Sequence, residues 1–193
     1  MTPGQHFIVS WVVANTAPLD RRGRISITLA GLLPDVDGIG YIVDKVGIYF
    51  GYVTTLYQDH HHYLGHNIFF GLGCSFLLAY SCRNRWTVFL LSLLAFHLHL
   101  LGDLAGSQGP DGYQWPIPYL YPLLPSFELT WQGQWQLSSW KNSLIGVLFF
   151  LAAIVLARYR RATFFELFSL RFENIVKETA YKRGFFKPGN PSE

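Results

Sequence analysis

The stretch Asp59-His60-His61-His62-Tyr63-Leu64-Gly65-His66 packs four imidazoles and a carboxylate into eight residues. Written as a helix, it brings Asp59, His62 and His66 onto one face, at offsets of three and four residues. Two imidazoles and a carboxylate aimed at one point are what a divalent metal requires. Imidazole binds metal only when neutral, and its ordinary pKa of roughly 6.5 makes that form available near pH 7. A solvated polar loop would also tolerate such a run, so the stretch decides nothing by itself. A second group, His97-Leu98-His99-Leu100-Leu101-Gly102-Asp103, changes the balance. His99 and Asp103 lie one helical turn apart on a shared face, whereas His97 points elsewhere. Burying that His and Asp unpaired in apolar sequence would cost several kcal/mol each. A third source is Asp35-Val36-Asp37. Pro34 pushes Leu33 out of the α region, so a helix over Ile25–Leu33 is predicted to end there. Asp35 and Asp37 then occupy a turn, where alternate carboxylates can converge, although a plain Asp-rich turn would read the same.

The elements that must carry these residues are apolar. Half of the 193 residues are hydrophobic, 17% are aromatic and 14% are charged, against roughly 25% charged in an average soluble chain. That balance points to a membrane. Residues 158–193 carry eight basic and four acidic side chains, which leaves residues 1–157 at a net of −1 and no basic face for nucleic acid. Cys74 and Cys82 share one apolar segment and imply no disulfide framework. The first residues lack the basic region of a signal peptide, and His6 interrupts the apolar run to Ala17.

Three uncharged runs follow: Ile68–Cys82, Trp86–Gly102 and Asn142–Ala157, of 15, 17 and 16 residues. A bilayer span needs roughly 20, so the first and last are predicted to extend through flanking Gly, Asn and Ser. Arg83-Asn84-Arg85 joins the first two as a hairpin. Gly38–Tyr57 reads as mixed helix and loop. Ala105–Lys141, rich in Pro, Gly and Trp, reads as an extramembrane loop, with Trp131, Trp135 and Trp140 as an interfacial belt and a small hairpin over Glu128–Trp135. Thr163-Phe164-Phe165-Glu166 matches a capping box for a surface helix to about Tyr181, with an apolar stripe of Phe165, Phe168, Phe172, Ile175 and Val176. The predicted fold is therefore all-α. Residues 1–157 form a membrane-embedded helical bundle with a Pro/Trp-rich loop, 158–181 an amphipathic helix and 182–193 a disordered tail.

Laid along these hairpins, Arg21/Arg22/Arg24, Arg83/Arg85 and Arg158/Arg160/Arg161 all fall at one end of the bundle. His6, Asp35, Asp37, Asp59, His61, His62, His66, His99 and Asp103 fall at or near the other. Basic turns stay in the cytoplasm, so the site is expected on the extracytoplasmic side of a multi-pass inner-membrane protein. Separate segments delivering His and Asp to one end is the strongest functional signal in the sequence.

The order His6, Leu33-Pro34-Asp35-Val36-Asp37, the His60–His66 run, and His99-x3-Asp103 followed by Gly109 and Trp115-Pro116 resembles the YdjM-like membrane-bound metal-dependent hydrolases. The resemblance covers about residues 5–125. That family is described as inner-membrane-associated. It is considered distantly similar to the zinc-dependent phospholipase C and S1/P1 nuclease group, which are all-α with clustered zinc ions. The resemblance implies His6, Asp35, Asp37, His66, His99 and Asp103 as metal ligands, plus one His of the central run. The family motif His-Arg-Gly-x-Thr-His sets its first His at His61, whereas helical facing prefers His62, and both stay open. The usual Arg is His62 here, the usual Gly is Tyr63 and the usual Thr is Gly65.

Seven ligands exceed one tetrahedral ion, which favours two or more divalent metals, zinc first. The expected activity is hydrolysis of a phosphate ester, lipid or lipid-linked, by metal-activated water, with Asp35 or Asp37 as catalytic and bridging carboxylate. The rivals are a di-iron lipid oxidase or desaturase, which would want denser His pairs, and a non-catalytic metal-binding membrane protein. A metalloprotease fits less well, because His62-x3-His66 lacks the Glu of that motif.

Overall fold

The computed structural model describes residues 1–57 and 61–186, so Asp59 and His60 lie outside the described residues. The first helix, α1 (Pro3–Ala14), starts where Thr2 adopts an extended backbone and Pro3 supplies a preset φ. It ends at Asn15, whose side chain turns back to the Trp11 carbonyl. Helix α2 (Arg21–Ala30) is capped by Asp20, which accepts from Gly23 N at 2.9 Å. It stops at Gly31, three residues earlier than Pro34 alone required, and Leu33–Gly38 form a 3-10 turn carrying Asp35 and Asp37. Helix α3 (Ile39–Tyr49) follows directly and buries no residue.

Asn67 opens α4 (Ile68–Tyr80) by accepting from Phe70 N. That cap confines α4 to 13 residues, so this run does not lengthen through its flanks as expected. Helix α5 (Arg85–Gly106) takes 22 residues and α6 (Trp140–Arg160) takes 21. These two are long and apolar enough to cross a membrane, and residues 21–30 with 33–49 pass together as a span bent by 53°. Among the described residues there is no strand, and the fold is that of a helical membrane protein.

The core sits where α5 meets α1, α2 and α4. Trp11, Val13, Ala14, Leu19, Ile27, Ala79, Val88 and Ala95 are buried there. Helix α6 packs on α1 and leaves Leu144, Val147, Leu148, Leu151 and Val155 exposed, as lipid contact allows. The ends of the bundle differ chemically. At one, Arg160 donates to the carbonyls of Asn15 and Thr16, and Arg24 forks onto the Glu166 carboxylate. At the other, Gln5 reaches the Asn142 carbonyl and the Asn142 amide holds the Gly106 carbonyl.

Two local expectations are corrected. Glu128–Trp135 makes no hairpin with itself: Leu129 exchanges hydrogen bonds with Ile117, while Gln108 N donates to Trp135 O and Leu137 N to Gln108 O. The segment is thereby fastened across the loop, and Trp135 is tied to Asn142 Oδ1 at 2.9 Å. The tail is two pieces, a 3-10 turn at Phe164–Leu167 and helix α7 (Leu170–Lys182). Glu166 does not close a capping box because Arg24 takes its carboxylate; Ser169 caps α7 instead, and Glu173 accepts from Thr163. Phe168, Leu170, Phe172 and Ile175 are exposed along this piece. Lys182 closes α7 and Phe186 is buried, so residues 182–186 belong to the fold rather than to the disordered tail expected there.

Candidate metal centre

Four segments meet at one end of the bundle: the start of α1, the turn after α2, the loop before α4 and the C-terminal half of α5. Within α5, the one-turn spacing of His99 and Asp103 gives 3.0 Å between His99 Nε2 and Asp103 Oδ2. The other ring nitrogen of His99 donates to the Gly31 carbonyl at 2.9 Å, which fixes the tautomer and leaves Nε2 bare. Gly31 itself is needed there, because a Cβ would lie 1.9 Å from Ser10 Oγ. His6 stacks on His99 with ring centroids 3.7 Å apart and places Nε2 3.1 Å from Asp103 Oδ1, to which the Met1 amino group also donates.

The central run is not a helix. Residues 61–67 form turns and bends and His62 has φ of 76°, so His62 and His66 do not share a helical face, and the expected place of Asp59 beside them lies outside the described residues. Asp37 is the cause. Its Oδ2 accepts from His62 N at 2.9 Å, Gly65 N at 3.2 Å and His66 Nδ1 at 3.3 Å, while Oδ1 accepts from His61 Nδ1 at 2.9 Å. Two backbone amides bent toward one carboxylate hold a loop where a helix would need them elsewhere. A carboxylate offers about four lone-pair sites, so Oδ2 is saturated and Asp37 stands behind the imidazoles as their orienting group. Asp37 thus meets the site through His61 and His66, and it is not among the four residues whose ligand atoms converge.

With Nδ1 spent on Asp37, His66 turns Nε2 to within 3.3 Å of His99 Nε2 and 3.4 Å of Asp103 Oδ2. Asp35 Oδ1 lies 3.6 Å from His99 Nε2, and its Oδ2 is buried without a hydrogen-bond partner. One ligand atom each from Asp35, His66, His99 and Asp103 falls within 4.8 Å of the others. His99 Nε2, unprotonated in that tautomer, faces carboxylate oxygens, an Asp35 oxygen is orphaned, and two His with two Asp is a donor set that divalent zinc accepts. The residues present therefore fit a metal ion.

Of the remaining candidates, His6 touches Asp103 but lies outside that four-residue group. His61 and His62 flank it. His62 Nδ1 donates to the Pro116 carbonyl at 3.1 Å, and both His61 and His62 line the adjoining cavity. Burial first, then the neighbouring His66 and His61, pull the His62 pKa down to about 3, so it stays neutral. His97 is outside the centre: it donates to Leu93 O, and its other nitrogen meets Tyr119 OH. Tyr57 and Trp115 form an unforeseen aromatic wall, with Tyr57 stacked on His61 at 4.4 Å and Trp115 edge-on at 5.2 Å. Nothing in the local pattern around Tyr57 marks it, although Trp115 lies in a noted Trp-Pro pair.

Burial disfavours the imidazolium of His66, yet Asp103 and Asp37, one beside each ring nitrogen, outweigh it and raise the pKa to about 9. Below that pH the site holds a proton that a metal at Nε2 must displace. Metal affinity is therefore expected to climb by about tenfold per pH unit up to about pH 9 and then flatten. Calorimetric titration of zinc in buffers of different ionisation enthalpy should read about one proton released per ion near pH 7. Affinity flat between pH 6.5 and 8.5 would remove His66 from the ligand set.

Among known protein families, the chain matches the model of the YdjM inner membrane protein family over residues 1–171. No curated protein and no solved structure matches the chain.

Proposed function

The chain belongs to the YdjM inner membrane protein family, and from that premise we propose that it is a membrane-bound metal-dependent hydrolase of phosphate esters. One observation carries the reading: the ligand atoms of Asp35, His66, His99 and Asp103 converge within 4.8 Å beside a large cavity. A divalent ion held there, zinc by its donors, would act as a Lewis acid and bring the pKa of its water to roughly 7. The overall reaction adds water to phosphorus, breaks the P–O bond to the alcohol and leaves one water proton on the departing oxygen.

The chain's own groups divide that work. Asp35 is partly open to the cavity, and its unpartnered Oδ2 is placed to hold a second ion or to take the proton of the attacking water. His61 and His62 present the remaining imidazoles for a second ion. Asp37 keeps His61 and His66 in register. Burial, followed by the carboxylates of Asp35, Asp103 and Asp37, raises the pKa of Tyr57, so this cavity residue remains a proton donor. Metal analysis with a phosphoester panel tests the reading. Bound zinc, and turnover that a chelator abolishes and zinc restores, is the expected result. Iron with oxygen-dependent turnover would replace it with an oxidase, and metal without turnover on any phosphoester with a carrier.

The same reading places the site on the extracytoplasmic side, because short basic turns are retained in the cytoplasm. Arg21, Arg24 and Arg160 gather at the end opposite the metal ligands. A cysteine at exposed Ser126, in a background lacking Cys74 and Cys82, is expected to react with a small membrane-impermeant thiol reagent in intact cells. Labelling only after lysis would put the chemistry in the cytoplasm.

A further inference from the structure

The cavity beside the ligands measures about 1060 Å³, enough for a head group and the first part of a chain. Its walls are unlike in kind. One is α3, whose Ile39, Tyr41 and Ile42 line the cavity while 54%, 53% and 61% of their surfaces remain exposed. The helix is pinned to the segment after it. Asp44 accepts from Thr54 Oγ1, Leu56 N and Tyr57 N, and Gly40 lies so close that a Cβ would meet Tyr57 N at 2.8 Å. Its outer side, with Val43, Val46 and Ile48 exposed, has no partner among the described residues. Apart from Asp44, which is held by that segment, and Lys45, which lies over the Tyr41 ring, the helix is apolar, and an exposed apolar face of this kind is covered by protein or by lipid. Residues 21–30 and 33–49 together have the length and composition of a bent span, which favours hydrocarbon as the covering. Ile39 and Ile42 belong both to that exposed helix and to the lining of the metal cavity.

The opposite wall decides the head group. Among the described lining residues there are three carboxylates, Asp35, Asp103 and Asp111, and no Lys or Arg. Proteins that bind phosphate through side chains use the cationic forks and ammonium groups of Arg and Lys. The Met1 amino group also lines the cavity but is paired with Asp103, so the countercharge left for one phosphate is what the metal ligands hold, and exposed Asp111 would repel any further negative charge.

We propose that the substrate is a bilayer amphiphile, a phosphodiester with a neutral or zwitterionic head, that enters over α3 with its tail along Ile39 and Ile42. This rests on the hydrolytic reading for the reaction but not for the binding. The test is therefore made first on metal-free full-length protein, where no turnover is needed. Retention of a zwitterionic lysophospholipid and of lysophosphatidylglycerol is compared by native mass spectrometry. The zwitterion is expected to bind about fivefold more tightly, as one repelling carboxylate at the rim implies, and Asp111→Asn should erase the preference. Ile42→Asp, at an exposed position that leaves the fold intact, should lower retention of both by about tenfold. With zinc restored, Ile42→Asp should depress turnover of the bilayer phosphodiester by a similar factor. Equal retention of the two lipids, or an Ile42→Asp protein that keeps both, would overturn the proposal while leaving the hydrolase standing. Lipid retention as expected with no turnover of any phosphoester would instead uphold the binding proposal and sink the hydrolase.

Discussion

Asp103→Asn protein is expected to bind divalent metal more than about a hundredfold more weakly than wild type, beyond the 10–100-fold typical of groups behind the ligands. Asp103 is 4% exposed and its carboxylate is the common neighbour of His6, His66 and His99. The amide keeps the shape but loses the charge, so the loss reads the ligand and not the packing. Asp37→Asn is the companion measurement. It leaves the four converging atoms in place and disturbs only the groups that aim His61 and His66, so its deficit should fall within the 10–100-fold range. Competition against a chromophoric chelator measures both. An Asp103→Asn protein that holds zinc like wild type would dismantle the centre, and an Asp37→Asn deficit matching that of Asp103→Asn would return Asp37 to the ligands.

Gly65→Ala is expected to lower stability by about 2–3 kcal/mol and to loosen metal binding with it. A Cβ on Gly65 would sit 2.1 Å from the Pro34 carbonyl oxygen and 2.9 Å from Pro34 Cα, both backbone atoms that cannot swing aside. The clash drives the turn bearing Asp35 and Asp37 away from the loop bearing His61, His62 and His66, breaking the Gly65 N–Asp37 contact on the way. Gly73→Ala in α4 is the control, since a Cβ there meets nothing within 4 Å. It should be neutral or slightly stabilising, by up to about 1 kcal/mol. Thermal melts of the two proteins, in detergent and without metal, give the comparison. If Gly65→Ala melts with wild type, the close approach of turn and loop is not required.

What local sequence encodes was readable. The i, i+4 pair His99/Asp103 needs only a helix, the Pro34 stop needs only sterics, and the separation of Arg from His and Asp follows from alternating directions of the chain. The family resemblance added His6, whose place beside Asp103 no spacing rule could supply. What failed was set at long range. The loop at His61–Asn67 exists because a carboxylate 25 residues earlier collects the amide of His62. The capping box at Thr163 is undone by an arginine 142 residues away. Asp35 and Asp37 looked equivalent in sequence. Only the loop folding over Asp37 separates the carboxylate with an open oxygen from the one whose role is to hold histidines.

The centre of Asp35, His66, His99 and Asp103, with His6 against it, is assembled from residues that leave the ribosome far apart in time. At synthesis rates of roughly 5–20 residues per second, His6 precedes Asp103 by roughly 5–20 s. A nascent fragment ending before α5 carries Asp35, Asp37 and the loop at residues 61–67 but lacks His99 and Asp103, so the four-residue group cannot close until α5 is made. On the proposed function, capture of an ion by that group follows insertion of α5, and on the proposed topology the ion comes from outside the cytoplasm.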